Sequence, residues 1–421
     1  MLRCRKIPPA LLIFLFVALA AKGQVASSPF SEFGIGNLYN NGLVQSQGMG
    51  GIGISNPNVW YLNSQNPALL VFNRWTVFQA GLQIEKRTAT DGIKSQSFQN
   101  GNLSYLTLAL PIKIDKWTTS IGLTPYSSVN YNISYQDIAS GSYVPVTIQQ
   151  TGKGGINQFY WANGFAVNRY LSLGVKATYL FGSIITQAGN TLSNSITNTS
   201  IYTRDYFNGL NLNGGISFHK DSLFKKNYRI NVGGILNIGN ELKALHTQRI
   251  DVLSSRGVII DSLTIISNKA STAHIPYNFG VGISFGRVER WTVGADFTYL
   301  NYKNYVGFTN SLGDPTVGYR SALGFEITPK PEDFTSYFNR VTYRLGATYE
   351  KSPILVNGNP LTDIGGTFGF SLPVSRFSLI DLGVKIGRRG TVYQNSIEEN
   401  YFRIYFGVTF NDYWFIKRKF E

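Results

Sequence analysis

Long stretches of this chain change character at every residue, apolar on one side and small or polar on the other. Past residue 23, no stretch stays apolar long enough to cross a membrane as a helix. From Tyr170, one side reads Leu171, Leu173, Val175, Ala177, Tyr179 and Phe181, against Ser172, Gly174, Lys176 and Thr178. The same period of two returns from Tyr228 (Ile230, Val232, Leu236, Ile238), from Trp291 (Val293, Ala295, Phe297, Tyr299), from Val341 to Glu350, and from Tyr401 to Phe410. Period two is the mark of a strand with two different environments on its faces. The runs are commonly about 12 residues, whereas a globular strand averages nearer 5 or 6 and a tilted membrane-crossing strand needs about 9 to 11.

A two-sheet sandwich alternates too, so the connections have to decide. Short polar marks, often ending in an aromatic, recur at Asn73-Arg74-Trp75, Asp115-Lys116-Trp117, Asn168-Arg169-Tyr170, Lys226-Asn227-Tyr228, Glu289-Arg290-Trp291, Asn339-Arg340-Val341, Ser375-Arg376-Phe377 and Asp412-Tyr413-Trp414. An aromatic at a strand mouth suits the membrane–water interface. Between the marks lie longer polar stretches at 88–101, 137–155, 187–203, 244–271, 303–337, 351–364 and 388–400. Eight marks enclose seven hairpins. The expected fold is therefore all-β: a transmembrane antiparallel β-barrel of about fourteen strands, with short periplasmic turns and long outer loops. Residues 317–328 are an added strand candidate, and Trp414–Phe420 a tail candidate.

Arg3, Arg5 and Lys6 precede the apolar run Ala10–Ala21, and Ala21-Lys22-Gly23 places small residues before Gln24. This predicts a cleavable signal peptide over 1–23 and so export, which with the barrel pattern predicts the bacterial outer membrane. Cys4 leaves with it, so the mature chain has no thiol for a disulfide, a nucleophile or a metal, and no cofactor is expected. The leader holds Arg3, Arg5, Lys6 and Lys22 and no acid, so its removal takes the formal charge from +15 to +11. A basic surplus suits outer-membrane lipid, and export argues against nucleic acid as a partner. Charged residues at 14% and aromatics at 14% fit a barrel better than a soluble domain.

Residues 24–74 lack sustained alternation. They are rich in Gly, and Phe30, Phe33, Leu38, Met49, Ile52, Trp60, Leu69, Leu70 and Phe72 give them apolar surface to pack. That composition predicts a plug inside the barrel, leaving 75–421 as the barrel itself. The run Gln47-Gly48-Met49-Gly50-Gly51-Ile52-Gly53, followed by Asn66-Pro67-Ala68, resembles the hatch of the long-chain fatty-acid transporters, the FadL/TodX-type outer-membrane porins. The likeness runs loosely over the mature chain, through Gly369-Phe370-Ser371-Leu372-Pro373. It departs at the end, where Glu421 follows Phe420.

The resemblance implies passive uptake of a hydrophobic small molecule such as a long-chain fatty acid. In the family the hatch moves, and the ligand leaves sideways at a kinked third strand. Here that strand runs from Trp117 to about Gln136 and holds Pro125, the candidate lateral exit, because proline cannot donate a ladder hydrogen bond. No GxxxxGK[ST] phosphate loop is present to couple an energy source.

The lumen side carries Glu85, Asp296, Glu350 and Asp381, and five cations, Lys176, Arg229, Arg344, Lys385 and Arg403. These five are the candidate partners of a ligand carboxylate; the plainer expectation is that they pair with acids of the wall and hatch. Three histidines are spread apart, His219 in a turn, His246 in a loop and His274 at a strand mouth, with no Gly-x-Ser-x-Gly or His-Glu-x-x-His run, so no enzyme is expected. Closure removes edge strands and predicts a monomer. The rival function is a docking component of a protein secretion system, with 303–337 and its Pro315, Pro329 and Pro331 as the interaction surface.

Overall fold

The computed structural model describes residues 28–413, apart from positions 41, 139–143, 193–195, 223–226, 276, 304–314, 334 and 376. The leader, its cleavage point and the tail from Trp414 lie outside the described residues.

Fourteen antiparallel strands close into one barrel. In chain order they are β1 (Thr76–Thr90), β2 (Ser95–Lys113), β3 (Trp117–Ile138), β4 (Pro145–Ala166), β5 (Leu171–Leu192), β6 (Thr197–Asp221), β7 (Tyr228–Ile238 continued by Asn240–Ser254), β8 (Ile259–Ile275 continued by Asn278–Arg287), β9 (Trp291–Asn301), β10 (Val317–Ile327), β11 (Thr342–Val356), β12 (Asn359–Pro373), β13 (Ser378–Arg389) and β14 (Glu398–Asp412). Strand β14 closes on β1, from Glu398 opposite Thr90 to Asp412 opposite Thr76. At that seam Tyr413 packs edge to face with Trp75 (4.2 Å) and with Phe377 at the short-turn end, and Trp75 and Phe377 lie tilted against each other.

The alternation has the direction of a membrane protein. Val175, Leu345 and Leu323 are 58%, 60% and 63% exposed on the outside, while Lys176 at 4% and Thr409 at 0% face a filled interior. A soluble sandwich buries its apolar face; this barrel presents it outward.

Two expectations change. The stretch 303–337 is not one loop. Val317–Ile327 is the return strand of the fifth hairpin, paired with β9 and β11, so it completes the fourteen instead of adding to them. Arg320 and Ser321 mask its alternation, yet Leu323 and Phe325 still point outward. Pro315 therefore lies at the hairpin end, and Pro329 and Pro331 at the short-turn end, too far apart for one surface.

The hairpin ends are also ladders more than loops: β3 to β6 run 22, 22, 22 and 25 residues. Their Ser-, Thr- and Asn-rich halves stand beyond an apolar belt, where both faces can be polar, so period-two contrast vanishes while backbone pairing continues. His219, His246 and His274 accordingly sit within strands.

The core lies inside the barrel. Leu43, Val44, Leu62 and Leu70 of the N-terminal segment pack on Val77, Tyr105, Tyr160 and Tyr405 of the wall. Nearer the hairpin end, Ile35 joins Val129, Tyr131, Ile156, Leu180, Phe207, Leu242 and Ile275.

Candidate functional site

Residues 28–75 form a seated hatch, built from the turns its sequence dictates. Helix α1 (Val44–Gly48) ends in the Gly run, where Gly50 and Gly51 take φ of +75° and +84°. That left-handed backbone suits glycine and brings the chain against the wall. A Cβ on Gly346 of β11 would lie 2.3 Å from the Gly50 nitrogen, one on Gly324 of β10 2.4 Å from the Met49 carbonyl oxygen, and one on Gly369 of β12 2.9 Å from the Gly48 Cα. Main chain of the hatch rests on these wall glycines, with the Met49 side chain also packed against Gly324.

Polar pairs then fix the register. Gly50 donates its N–H to the Thr367 hydroxyl at 2.8 Å, and that hydroxyl donates to the Gly48 carbonyl at 3.1 Å. The Asp296 carboxylate on β9 accepts from the N–H groups of Gly53 (2.7 Å) and Ile54 (2.8 Å). Asp381 accepts from Gln45 Nε2 at 2.7 Å and from the Thr409 hydroxyl at 2.8 Å.

The Asn66-Pro67-Ala68 motif is a cap. Asn66 accepts the Ala68 N–H at 3.0 Å and heads the 3-10 turn Pro67–Phe72, with proline at its first position. Its Nδ2 donates to the carbonyls of Ile54 (2.7 Å) and of Ile216 in β6 (3.1 Å), tying turn, hatch and wall together.

Removing the Asp296 acceptor leaves two buried donors unpaired, at about 1–3 kcal/mol each. Asp296→Ala is expected to speed hydrogen exchange of the Gly53 and Ile54 amides at least about tenfold while the barrel still migrates heat-modifiably on a gel. Unchanged exchange would mean that the carboxylate does not hold the hatch.

Four of the five sequence-predicted cations are paired. Arg229 meets Asp221 at the short-turn rim, with its guanidinium over the Phe72 ring, and so does not face the mid-lumen. Arg344 donates to Glu326 at 2.6 Å and to the Ser371 hydroxyl at 2.6 Å. Lys385 lies 3.9 Å from Asp363. Arg403 pairs with Glu85, which also holds Arg87 at 2.6 Å; Arg87 in turn grips Glu399. Lys176 differs. Its ammonium donates to the Ser64 carbonyl at 3.1 Å and has no ion pair among the described residues.

The wall has a slit. β2 and β3 pair only from Leu106 opposite Leu123 down to Lys113 opposite Trp117. Above that point β2 stays with β1, and β3 leaves with β4 through a bulge between Pro125 and Ser127. The hatch takes up the free edge of β3: Asn37 and Leu38 pair with Ser128 and Ser127, Tyr39 N–H donates to the Tyr126 carbonyl at 3.0 Å, and Ser28 N–H to that of Asn130 at 2.8 Å. Gly36, at φ +88°, allows this approach, since its Cβ would strike the Ser128 carbonyl. Pro125 thus lies at the upper edge of the remaining β2–β3 pairing, where β3 bends.

Three cavities surround the hatch. One of about 130 Å³ reaches both banks of the slit (Ser104, Thr124 and Pro125) and is lined by apolar Phe30, Phe33 and Ile35 as well as by Arg87, Lys385 and Arg403. A second, of about 150 Å³, lies behind Leu38–Asn40 and includes Lys176. A third, of about 1060 Å³, opens at the short-turn end beneath Trp60 and Tyr61. The sequence singles out the Gly run, the Asn66-Pro67-Ala68 motif and Pro125 as residues. It does not show the slit, because the absence of a ladder leaves no local pattern.

The fold is shared with solved channels. It is similar to the Pseudomonas putida toluene transporter TodX (TM-score 0.58, 14% identity, 90% of this chain and 100% of that one). The Ralstonia pickettii toluene transporter TbuX gives 0.57 at 13%, over 89% and 99%. A Pseudomonas aeruginosa FadL homologue gives 0.56 at 12%, again over 89% and 99%. At such identities the likeness establishes the fold. No curated protein matches the sequence. A family model described as BamG matches residues 4–421.

Proposed function

The chain belongs to the BamG family and is built on the FadL-type barrel, and on that premise we propose that it is an outer-membrane channel for passive passage of hydrophobic small molecules. It reaches the bacterial outer membrane after loss of residues 1–23, works as a monomer, and performs no catalysis. The observation that carries this reading is the slit between β2 and β3, bordered by an internal cavity whose lining includes Phe30, Phe33 and Ile35.

Above Leu106 the β2 edge has no ladder partner on its β3 side among the described residues, and lipid cannot satisfy such backbone, so the open edge calls for a use. The hatch arm supports the same reading, because Asn37 and Leu38, and not β2, hold the β3 edge there. No energy source is needed. A tail of 16 carbons at roughly 0.8 kcal/mol per CH₂ has a drive on the order of 10 kcal/mol to leave water.

Pro125→Val restores an N–H donor at the bend. It is expected to lower uptake of a fluorescent long-chain fatty acid into reconstituted vesicles by about tenfold, the effect of one closed ladder bond or two. Uptake at the unmodified rate would remove Pro125 as the exit.

The family match favours a second reading, a Bam-related docking role at the membrane. Co-purification with a Bam protein, together with vesicle uptake no faster than in protein-free controls, would favour it over the channel.

A further inference from the structure

Above the apolar belt, the outside of the wall turns basic along one sector. On β6 the outward positions run Leu212, Leu210, Asn208, Tyr206 and Arg204, while Phe207 and Asp205 between them are buried. On β4 the outward run is Trp161, Phe159, Asn157, Gly155 and Lys153. On β7 the exposed Lys243 stands between the buried Leu242 and Ala244. Across the ladder Lys153 meets Ile185 on β5, and Ile185 meets Arg204 on β6. The two cations thus share one rung two strands apart, about 10 Å at the usual strand spacing. Lys243 lies opposite Asn208, four residues along β6 from Arg204.

These three exposed cations have no ion pair among the described residues. The nearby acids are mostly engaged: Arg249 holds Asp251 at 2.9 Å, and Asp205 faces inward against His246. Glu241, two residues before Lys243, is the acid left unpaired beside them. The patch is therefore net positive, and its complement is an anion. Tyr206, partly exposed between Asn208 and Arg204, sets the height, since a tyrosine just past an apolar belt sits at headgroup level.

Continuity with the belt decides the kind of anion. A lipid whose acyl chains lie on Leu210, Leu212 and Phe159 brings its phosphates to the level of the cations. Because the long hairpins stand on the outer side, that lipid belongs to the exposed leaflet. Cations spread over several strands suit a head with more than one phosphate. We propose that Lys153, Arg204 and Lys243 form a docking patch for a phosphorylated glycolipid of the outer leaflet, held along β4 to β7. This goes beyond the channel reading and rests only on placement in the outer membrane. Lys86 on β1 supplies the contrast: it is also outward and exposed, just past Ile84, but its ladder neighbours are Phe402 and Gln99.

The probes are bisphosphorylated lipid A and the same lipid stripped of its phosphates. Each is titrated into the full-length protein in detergent, with bound lipid read by native mass spectrometry and excess inorganic phosphate as a competitor. A cation near an anionic lipid surface contributes about fivefold in binding, so the unmodified protein is expected to prefer lipid A by about a hundredfold. Combining Lys153→Gln, Arg204→Gln and Lys243→Gln is expected to abolish that preference by weakening lipid A alone, with heat-modifiable migration retained. Lys86→Gln is expected to keep it. Equal binding of the two lipids by the unmodified protein overturns the proposal, and so does an equal loss in Lys86→Gln and the triple variant. Weakening of both lipids together in the triple variant also overturns it, because the phosphates would then not be what the patch reads. Displacement of lipid A by inorganic phosphate overturns the lipid assignment in favour of a free anion.

Discussion

Gly346→Val is expected to unseat the hatch and turn a closed barrel into a leaky one. The added Cβ would stand 2.3 Å from the Gly50 nitrogen and 2.5 Å from the Met49 carbonyl carbon, both main-chain atoms with no rotamer to yield. Overpacking of this kind costs typically 1–3 kcal/mol, which raises the unseated population by about 5- to 160-fold. The barrel ladder is unaffected, because Gly346 keeps its pairing with Gly324 and Thr367 whatever its side chain. Single-channel conductance and entry of a bulky polar antibiotic should both rise, with heat-modifiable migration retained. Gly366→Val is the control: it changes an exposed glycine of the neighbouring strand whose Cβ would meet nothing within 4 Å. Conductance that rises equally in both variants would show that the Gly-on-Gly seat is not what holds the hatch.

Arg87→Met should produce the largest loss of stability of any single change considered. Its guanidinium, 6% exposed, bridges the buried carboxylates of Glu85 and Glu399. Glu399 also accepts from the Ser28 hydroxyl at 2.6 Å, so the start of the described hatch hangs on the same cluster. Breaking a buried pair from one side leaves an uncompensated charge, at about 3–5 kcal/mol; here Glu399 loses its ion pair, and Glu85 keeps only Arg403. The guanidinium chloride midpoint of the refoldable barrel is expected to fall markedly. The double variant with Glu399→Gln should recover part of that loss, since it withdraws one of the stranded charges. A midpoint unchanged by Arg87→Met would mean that the cluster contributes nothing net. Little change in the double variant relative to the single would place the cost elsewhere than in Glu399.

Much of the site was visible as residue types without being visible as a site. The Gly run, the Asn66-Pro67 cap and Pro125 each obey a local rule: positive φ, an N-cap followed by proline, a missing donor. Lys176 and Arg344 looked equivalent, both cations on the inner face of an alternating strand. What separates them is a neighbour on another strand, Glu326 for Arg344 and Asn213 for Lys176. His246 shows the same limit. It lies among polar residues that read as loop, and its Nδ1 stands 2.6 Å from Asp205 because two hairpin halves extend past the belt in register.

The chain by itself determined that strands would form, which of their faces would meet lipid, and where the short turns would fall. Each of those follows from the contrast between a residue and the next along the backbone. Only the tertiary structure decided that β2 and β3 part above Leu106 and Leu123, that the hatch arm takes the vacated edge, and which charges find partners. Those outcomes depend on register between segments brought together by closure of the barrel, and a repeating pattern of two looks the same in every register that preserves its faces.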